Sequence, residues 1–272
     1  MASEFTAQPI LTITGLTKFF GGLCAVRNFD LSLHRGSLSG LIGPNGAGKT
    51  TVFNMISVLY QPSGGDVVFQ GDSLVNLQPF EITQRGIGRT FQNIRLFPNL
   101  TVLDNVCIAY HPHAGYSMLD AVLRNKRFEA KEKELVEKAQ DFLSIFKLEG
   151  IQNELAKNLP YGEQRRVEIA RALASTPRLL LLDEPAAGMN PREIINLMDL
   201  IHFIRDRFEL TILLIEHQMR VVMGICEAIT VMDFGEVIAR GDPKEIQENP
   251  RVVEAYLGKT ALGRGAIHVS GS

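Results

Sequence analysis

The chain has 272 residues, of which 45% are hydrophobic and 21% are charged, so it is long enough for one large α/β domain or two small ones. Its formal net charge of −2 gives no general electrostatic footprint for nucleic acid, which disfavours nucleic-acid binding. The three cysteines, Cys24, Cys107 and Cys226, are odd in number and far apart. This usage predicts a reduced chain without a structural metal.

The N-terminus lacks a basic region followed by an apolar stretch. The longest apolar runs, such as 210–215, fall far short of the roughly 18 residues that a membrane span requires. We therefore expect neither an exported protein nor an integral membrane protein.

In the first forty residues, short β-like runs at 10–14 and 38–42 alternate with Gly-rich turns, and 50–59 then predicts a helix. Residues 61–65 form a predicted turn, and 66–70 is a predicted strand that leads into a Gly-Asp turn, a hairpin signal. These elements predict a small β subdomain beside the core.

Between 101 and 147 the pattern changes to that of an amphipathic helical segment. Opposite charges stand four residues apart at 129/133 and 134/138, which we interpret as a solvent-exposed face. The apolar positions, at three- and four-residue steps, are Leu135, Ala139, Phe142 and Phe146, with Val136 and Leu143.

The second half of the chain alternates strands with helices, which predicts a mainly parallel sheet with crossover helices. The predicted helices are 162–175 and 191–207, and the predicted strands are 179–182, 211–216 and 229–233. Residues 260–272 are small, polar and Gly-rich, and we expect a loosely ordered tail.

Residues 43–51 read G-P-N-G-A-G-K-T-T and satisfy the phosphate-loop pattern. Backbone N–H groups of such a loop wrap phosphates at a helix N-terminus. Lys49 is predicted to reach the terminal phosphates, and the Thr50 hydroxyl to bind Mg²⁺. The pattern therefore predicts a site for a nucleoside triphosphate.

Residues 179–185 read L-L-L-L-D-E-P. Four consecutive leucines fit a strand that is buried on both faces of a parallel sheet. Such a strand carries Asp183 and Glu184 to its C-terminal edge, where these sheets bind ligands. We expect Asp183 to hold the metal and Glu184 to orient or deprotonate the attacking water.

The order of motifs resembles that of ATP-binding cassette (ABC) ATPases from about residue 11 to residue 233. The signature-like segment 159–173 reads L-P-Y-G-E-Q-R-R-V-E-I-A-R-A-L, where the family normally has L-S-G-G-Q and an arginine-rich helix. The other motifs, in family order around it, are Thr90-Phe91-Gln92, the 179–185 strand, the turn Gly188-Met189-Asn190, and Ile215-Glu216-His217.

The resemblance implies an α/β fold: a P-loop NTPase core of ABC type with an antiparallel β subdomain and an inserted helical subdomain. We expect a single ABC ATPase domain at 9–258, with the helical subdomain at about 93–175 and a flexible tail at 259–272. The implied activity is ATP hydrolysis with Mg²⁺.

The resemblance also assigns roles to individual residues. Gln92 would reach Mg²⁺ and the attacking water, and His217 would contact the γ-phosphate, so that Lys49, Gln92, Glu184 and His217 carry catalysis. The implied metal ligands are Thr50, Gln92 and Asp183. The implied nucleotide-binding residues are Phe20 (stacked on adenine), Val26, Gly43, Pro44, Asn45, Gly46, Ala47, Gly48, Lys49, Thr50, Thr51, Gln92, Tyr161, Gly162, Glu163 and Gln164.

Family members work as pairs in which the signature of one chain contacts the nucleotide of the other. A helix start at Gly162 suits that contact, because it offers free N–H groups and the positive end of a helix dipole. Two positions depart from the family pattern. Pro160 replaces a serine and so removes a hydroxyl and a backbone N–H, and Asn190 replaces an aspartate, so the contact across the pair there would be neutral.

The Y-G-x-Q-R-R signature and the ending G-x-P-x-x-I-x-x-N-P-x-V-x-x-A-Y-L-G resemble the ATP-binding subunit of bacterial branched-chain amino acid importers. This implies membrane permease subunits and a second cassette as partners, a solute-binding protein as an indirect partner, and a peripheral location on the cytoplasmic face of the inner membrane. Close relatives carry urea or short-chain amides, so these substrates stay as alternatives.

Two other classes of protein share such motifs, and each would leave a mark in the sequence. A DNA-repair or chromosome-organising ATPase would need a long coiled-coil arm between Gln92 and the signature, and the insertion here is far too short. A scaffold that binds ATP without hydrolysing it would be expected to have lost Glu184 or Lys49, and both are present.

Overall fold

The computed structural model describes residues 8–110, 120 and 125–257 of the chain. In this part of the chain the strands are β1 (Leu11–Phe20), β2 (Leu23–Leu33), β3 (Leu38–Ile42), β4 (Gly64–Phe69), β5 (Asp72–Ser73), β6 (Ile87–Arg89), β7 (Leu179–Asp183), β8 (Thr211–Ile215), β9 (Ala228–Asp233) and β10 (Glu236–Gly241). The helices are α1 (Lys49–Ile56), α2 (Pro79–Gln84), α3 (Val102–Tyr110), α4 (Lys126–Ile145), α5 (Tyr161–Ala174), α6 (Pro191–Phe208), α7 (Met219–Ile225), α8 (Pro243–Glu248) and α9 (Pro250–Leu257).

The larger sheet has six strands in the order β10-β9-β3-β8-β7-β6. Strands β9, β3, β8, β7 and β6 run parallel, and β10 closes one edge as an antiparallel partner of β9. The mainly parallel sheet is therefore confirmed. Because parallel strands end at the same edge, the segments that follow β3, β6, β7 and β8 lie side by side.

Strand β7 shows why the run of leucines is continuous. Leu180 and Leu182 lie in a core formed with the helices, whereas Leu179 and Leu181 lie in a second core formed with α1 and the smaller sheet. Both faces of the strand are buried, as the leucine run predicts.

The smaller sheet has four antiparallel strands in the order β2-β1-β4-β5. The predicted β subdomain and its hairpin are present, but β1 runs to Phe20 rather than ending at 14, and β2 was not predicted. The pairing of β1 with β2 shifts its register between Ile13 and Leu16. This irregularity lets β1 continue beyond its predicted end at residue 14.

Helices α3, α4 and α5 lie between β6 and β7 in the chain. The apolar side of α4 is buried, including Ala139 and Leu143. Its other side is exposed and charged, and Glu134 accepts hydrogen bonds from Lys138 at 2.6 Å and Lys131 at 2.7 Å, which lower the pKa of its carboxyl to about 2. The charges thus form the exposed face predicted for this segment. Together with the two sheets, these helices confirm the predicted fold class.

Several predicted features fall outside the described residues. They are part of the helical insertion (111–119 and 121–124) and the tail at 259–272, which stays a prediction. Among the residues that are described, no helix is both long enough and apolar enough to cross a bilayer.

Candidate nucleotide-binding and hydrolysis site

Four predicted site segments follow neighbouring strands at one edge of the larger sheet. Gly43 follows β3, Glu184 follows β7, and Gln92 comes shortly after β6. His217 stands two residues beyond the end of β8. The sheet therefore brings together residues that are up to 174 positions apart, from Gly43 to His217.

The phosphate loop has a backbone that only glycine can adopt at two places. Gly43 has a φ of 148°, and a Cβ added there would lie 2.0 Å from the carbonyl oxygen of Met232. Gly48 has a φ of 101°, and its added Cβ would lie 2.5 Å from the carbonyl oxygen of Ala25. The loop is therefore packed tightly against β2 and β9, and it leads into α1 with Val52 N–H bonded to Gly48.

Lys49 is buried beneath this loop. Its Nζ donates to the carbonyl oxygens of Gly43 at 2.8 Å and Pro44 at 2.9 Å. Burial lowers the pKa of the Lys49 ammonium, and the negative charges of Glu184 and Asp183 oppose that shift. The ammonium is thus held at the loop, near the two carboxylates that the sequence predicts to act with it.

The remaining phosphate-loop residues differ in their access to solvent. Asn45, Gly46 and Thr50 are exposed, Pro44, Gly48 and Thr51 are half-buried, and Ala47 is buried. The hydroxyl of Thr50 can therefore reach a ligand at the edge of the sheet, as a metal ligand must.

Asp183 is the last residue of β7 and is buried. Its Oδ2 accepts a hydrogen bond from Arg89 Nη2 at 3.0 Å. Burial raises the pKa of the Asp183 carboxyl, and the positive charge of Arg89 counteracts this. Sequence reasoning missed Arg89, although a charged residue inside a buried strand signals a buried partner.

Glu184, Gln92 and His217 meet at the end of β7. Gln92 Nε2 donates to Glu184 Oε2 at 2.9 Å, and His217 Nδ1 lies 3.6 Å from the same oxygen. Glu184 has a φ of 47°, a left-handed conformation that non-glycine residues seldom adopt and that is frequent at functional sites. Three residues predicted to act on water and the γ-phosphate are therefore in reach of one another.

Glu216 is a further site residue whose role the sequence did not predict. It is buried and follows β8. Its Oε1 accepts from Ala186 N–H at 2.8 Å, and its Oε2 accepts from the N–H groups of His217 at 3.1 Å and Gln218 at 3.2 Å. This carboxylate fixes the loops after β7 and β8, which carry Glu184 and His217.

The aromatic residue predicted to stack on adenine ends β1. Phe20 is 42% exposed, packs edge-on against Tyr60 at 5.3 Å, and lies 5.2 Å from Lys18 Nζ. Val26 is buried, with its Cγ2 3.3 Å from the position of a Cβ on Gly48. Adenine stacking by Phe20 and a nucleotide contact by Val26 stay predictions.

The signature-like segment opens helix α5 at Tyr161, one residue before the predicted start. Pro160 is the N-cap residue and provides no side-chain hydrogen bond. Tyr161 is 42% exposed, and Gly162, Glu163 and Gln164 are half-buried. The first turn of this helix therefore keeps N–H groups that no cap side chain satisfies.

A buried ion pair joins the signature helix to the backbone around Gln92. Arg165 and Glu168 pair at 2.6 Å, and the guanidinium of Arg165 donates to the carbonyl oxygens of Phe91 at 2.7 Å and Gln92 at 2.9 Å. Glu168 Oε1 accepts from the N–H of Arg95 at 3.2 Å. The position of Gln92 is thus set by helix α5 as well as by β6.

The oxygen atoms at the site fit Mg²⁺ better than they fit a metal ion whose ligands all come from the protein. Within residues 8–110, 120 and 125–257, no group of three or more His, Cys, Asp or Glu side chains could hold a metal ion. Mg²⁺ is typically bound by one or two carboxylates together with substrate phosphates. Asp183, at the end of β7, and Thr50, an exposed residue of the phosphate loop, offer oxygen atoms that match this pattern.

Comparison with known proteins agrees with this geometry. Residues 26–187 match the family model described as "ABC transporter", and residues 236–261 match that of a "Branched-chain amino acid ATP-binding cassette transporter". The chain is 43% identical to the high-affinity branched-chain amino acid transport ATP-binding protein BraF of Pseudomonas aeruginosa, over 93% of this chain and 99% of BraF.

Solved structures give the same result. The ADP conformation of MJ1267, an ATP-binding cassette of an ABC transporter, has a TM-score of 0.80 and 32% identity, covering 93% of this chain and all of MJ1267. The cassette MJ0796, solved as a dimer in a post-hydrolysis state bound to ADP and phosphate, has a TM-score of 0.72 and 27% identity, covering 86% of this chain and 98% of MJ0796. The chain therefore belongs to the ABC transporter family of ATP-binding cassette ATPases.

Proposed function

We propose that the chain is the ATP-hydrolysing subunit of an importer that takes up branched-chain amino acids through a separate membrane permease. The observation that carries the proposal is the meeting of Glu184, Gln92 and His217 at the sheet edge that also holds the phosphate loop. The match of residues 236–261 to a branched-chain family and the similarity to BraF support the substrate class.

The reaction is an in-line attack of water on the γ-phosphorus, in which the bond to the ADP oxygen breaks. Glu184 orients the water and accepts its proton, and Gln92 and His217 contact the γ-phosphate. Lys49 exchanges its carbonyl partners for the terminal phosphates and neutralises their charge. Thr50, Asp183 and Gln92 would hold Mg²⁺, which supplies further charge neutralisation on the phosphates.

Two chains complete the two sites. The uncapped first turn of α5, with Gly162 at its second position, would face the γ-phosphate bound by the partner. The dimeric form in which the similar MJ0796 cassette was solved supports this arrangement. ATP binding then closes the pair and hydrolysis opens it, and the helices between β6 and β7 transmit the motion to the permease.

The permease places the chain at the cytoplasmic face of the inner membrane, where ATP is available, and a solute-binding protein selects the substrate outside. The segment after Gln92 is the proposed permease contact, which the 48% exposure of Phe97 supports. Specificity then lies in the permease and the solute-binding protein, so urea or short-chain amides are the rival substrates.

Uptake by cells tests this proposal. The gene would be deleted and replaced by wild type, by Glu184→Gln, or by the surface variant Glu134→Gln as a control. We expect uptake of radiolabelled leucine, isoleucine and valine to be lost on deletion and in Glu184→Gln, and restored by wild type and Glu134→Gln. Normal leucine uptake in the deletion strain together with loss of urea or acetamide uptake would assign the rival substrates instead.

A further inference from the structure

Arg89, the last residue of β6, is a buried, charged side chain to which the proposed reaction gives no role. Its side chain is only 7% exposed, yet it carries a positive charge into the space between α1 and the end of β7. The rings of Phe53 and Phe91 lie 5.6 Å and 4.9 Å from its guanidinium carbon. These two aromatic side chains restrict the orientation of the planar group.

The two arms of the guanidinium bind two different elements. Nη2 donates to Oδ2 of Asp183, at the end of β7. Nη1 donates to Oδ1 of Asn54 at 2.8 Å and to the hydroxyl of Ser57, and these residues lie in and immediately after α1. One rigid side chain thus joins the phosphate-loop helix to the strand that ends at Asp183.

Helix α1 and strand β7 carry the two sides of the expected metal site. Helix α1 begins with Lys49 and Thr50, and β7 ends at Asp183. We propose that Arg89 is a positioning residue that sets the carboxylate of Asp183 relative to Thr50 and so determines how well the site binds a divalent cation with a nucleotide. The inference rests on the proposed function, because that function requires a metal between these residues.

The orientation of the Asp183 carboxylate depends on this contact because Oδ2 accepts its hydrogen bond from Arg89 Nη2, at 3.0 Å. Asp183 interacts electrostatically with the buried Lys49 ammonium. Without Arg89, the carboxylate would lose the bond that orients it, and it would be less well placed for a metal bound with the nucleotide. A lysine at position 89 could keep the charge pair but not the planar fork that also binds Asn54 and Ser57.

The experiment measures binding of Mn²⁺, as a paramagnetic substitute for Mg²⁺, in the presence of ADP by electron paramagnetic resonance. Fluorescent ADP binding in EDTA reports nucleotide affinity without metal. We expect Arg89→Met to weaken Mn²⁺ binding about tenfold or more while metal-free affinity changes less than twofold, and Arg89→Lys to fall in between. The exposed Arg85→Met, on the segment before β6, is the control and should match wild type.

A double-mutant cycle with Asp183→Asn identifies the route of the effect. If Arg89 acts through Asp183, then Arg89→Met should add no further loss of Mn²⁺ affinity in the Asp183→Asn background. Additive losses, or wild-type Mn²⁺ affinity in a folded Arg89→Met protein, would overturn the inference.

Should Arg89→Met not fold, the pair Asn54→Ala and Ser57→Ala removes only the contacts to α1. We expect it to weaken Mn²⁺ binding about threefold, and unchanged binding would again overturn the inference. A wild-type protein without metal-dependent ADP binding would instead overturn the proposed function, so the two failures are distinguishable.

Discussion

The phosphate loop and the signature segment both face nucleotide in the proposed mechanism, but the fold holds them in different ways. The phosphate loop is enclosed by β2 and β9, with Gly43 and Gly48 in close contact with neighbouring carbonyl oxygens and Lys49 buried beneath. The signature segment begins helix α5, whose first turn is half-buried and whose N-cap, Pro160, contributes no side-chain hydrogen bond. One half of a site is thus complete within the chain, and the other is presented outwards for a second molecule.

The difference teaches which substitutions act within one chain and which act between chains. Substitutions in the phosphate loop should alter nucleotide binding by a single chain, because the tightly packed loop cannot change its conformation to accommodate them. Substitutions in the signature segment should leave the stability of a single chain nearly unchanged and alter the association of two chains. The ion pair of Arg165 and Glu168 joins the signature helix to the backbone of Gln92, which lies at the same edge of the sheet as the phosphate loop.

The largest effects are expected at Lys49 and Glu184. Lys49→Ala should abolish tight ATP binding, because it removes the ammonium that lies at the carbonyls of the phosphate loop and would bind the terminal phosphates. Glu184→Gln should retain ATP binding and lose turnover by about 10²- to 10⁴-fold, as is typical of a lost general base. ATP binding and steady-state phosphate release measure the two effects. Near-normal turnover in Glu184→Gln would remove Glu184 from the role of general base.

Gly48 in the phosphate loop and Gly162 in the signature segment differ in how closely neighbouring atoms approach them. Gly48→Ala should lower the free energy of unfolding by about 3 kcal/mol, because its Cβ would meet backbone at 2.5 Å and its φ is positive. Gly162→Ala should change it by less than about 1 kcal/mol, because its Cβ would meet no backbone atom, only the side chain of Glu193, at 3.2 Å.

Chemical denaturation measures both stabilities, and fluorescent ADP binding measures monomer affinity. Gly162→Ala should bind ADP as wild type does but fail to associate in ATP. If Gly48→Ala and Gly162→Ala lowered the free energy of unfolding equally, the phosphate loop and the signature segment would be equally tightly packed, against our expectation.

Pro160→Ser tests whether the signature segment contacts the phosphate bound by a second chain. A serine hydroxyl and a restored N–H could add one or two charge-assisted bonds to a facing phosphate, worth about 1.5–3 kcal/mol each. In a Glu184→Gln background, analytical ultracentrifugation in ATP should therefore show a tighter dimer. Because position 160 is also the N-cap, monomer stability is measured in parallel, to separate a better helix cap from a new contact. An unchanged or weaker dimer would indicate that the proline preorganises the loop.

The smallest effect is expected at Asn190, the N-cap of α6. Its side chain accepts from the N–H groups of Arg192 and Glu193. Asn190→Ala should cost about 1 kcal/mol in the free energy of unfolding, and Asn190→Asp should keep the cap and add about 0.3–1 kcal/mol through the helix dipole. Thermal melts of both variants check this, and a loss of stability in Asn190→Asp would contradict the capping role.

The sequence predicted the parts of the site that local pattern specifies. The phosphate loop and the leucines of β7 lie in short segments whose spacing dictates their conformation. Arg89 and its partner Asp183 are 94 residues apart, and Arg165 is 73 residues from Gln92. No local pattern encodes such contacts, because they depend on which strands become neighbours in the sheet.

Glu216 has a consequence for the kinetics of the site. Three amide groups in two loops, those of Ala186, His217 and Gln218, share this one buried acceptor. An amide exchanges its hydrogen with deuterated water only when its bond opens. The three should therefore show the same free energy of opening, and the loops after β7 and β8 would open and close as one body.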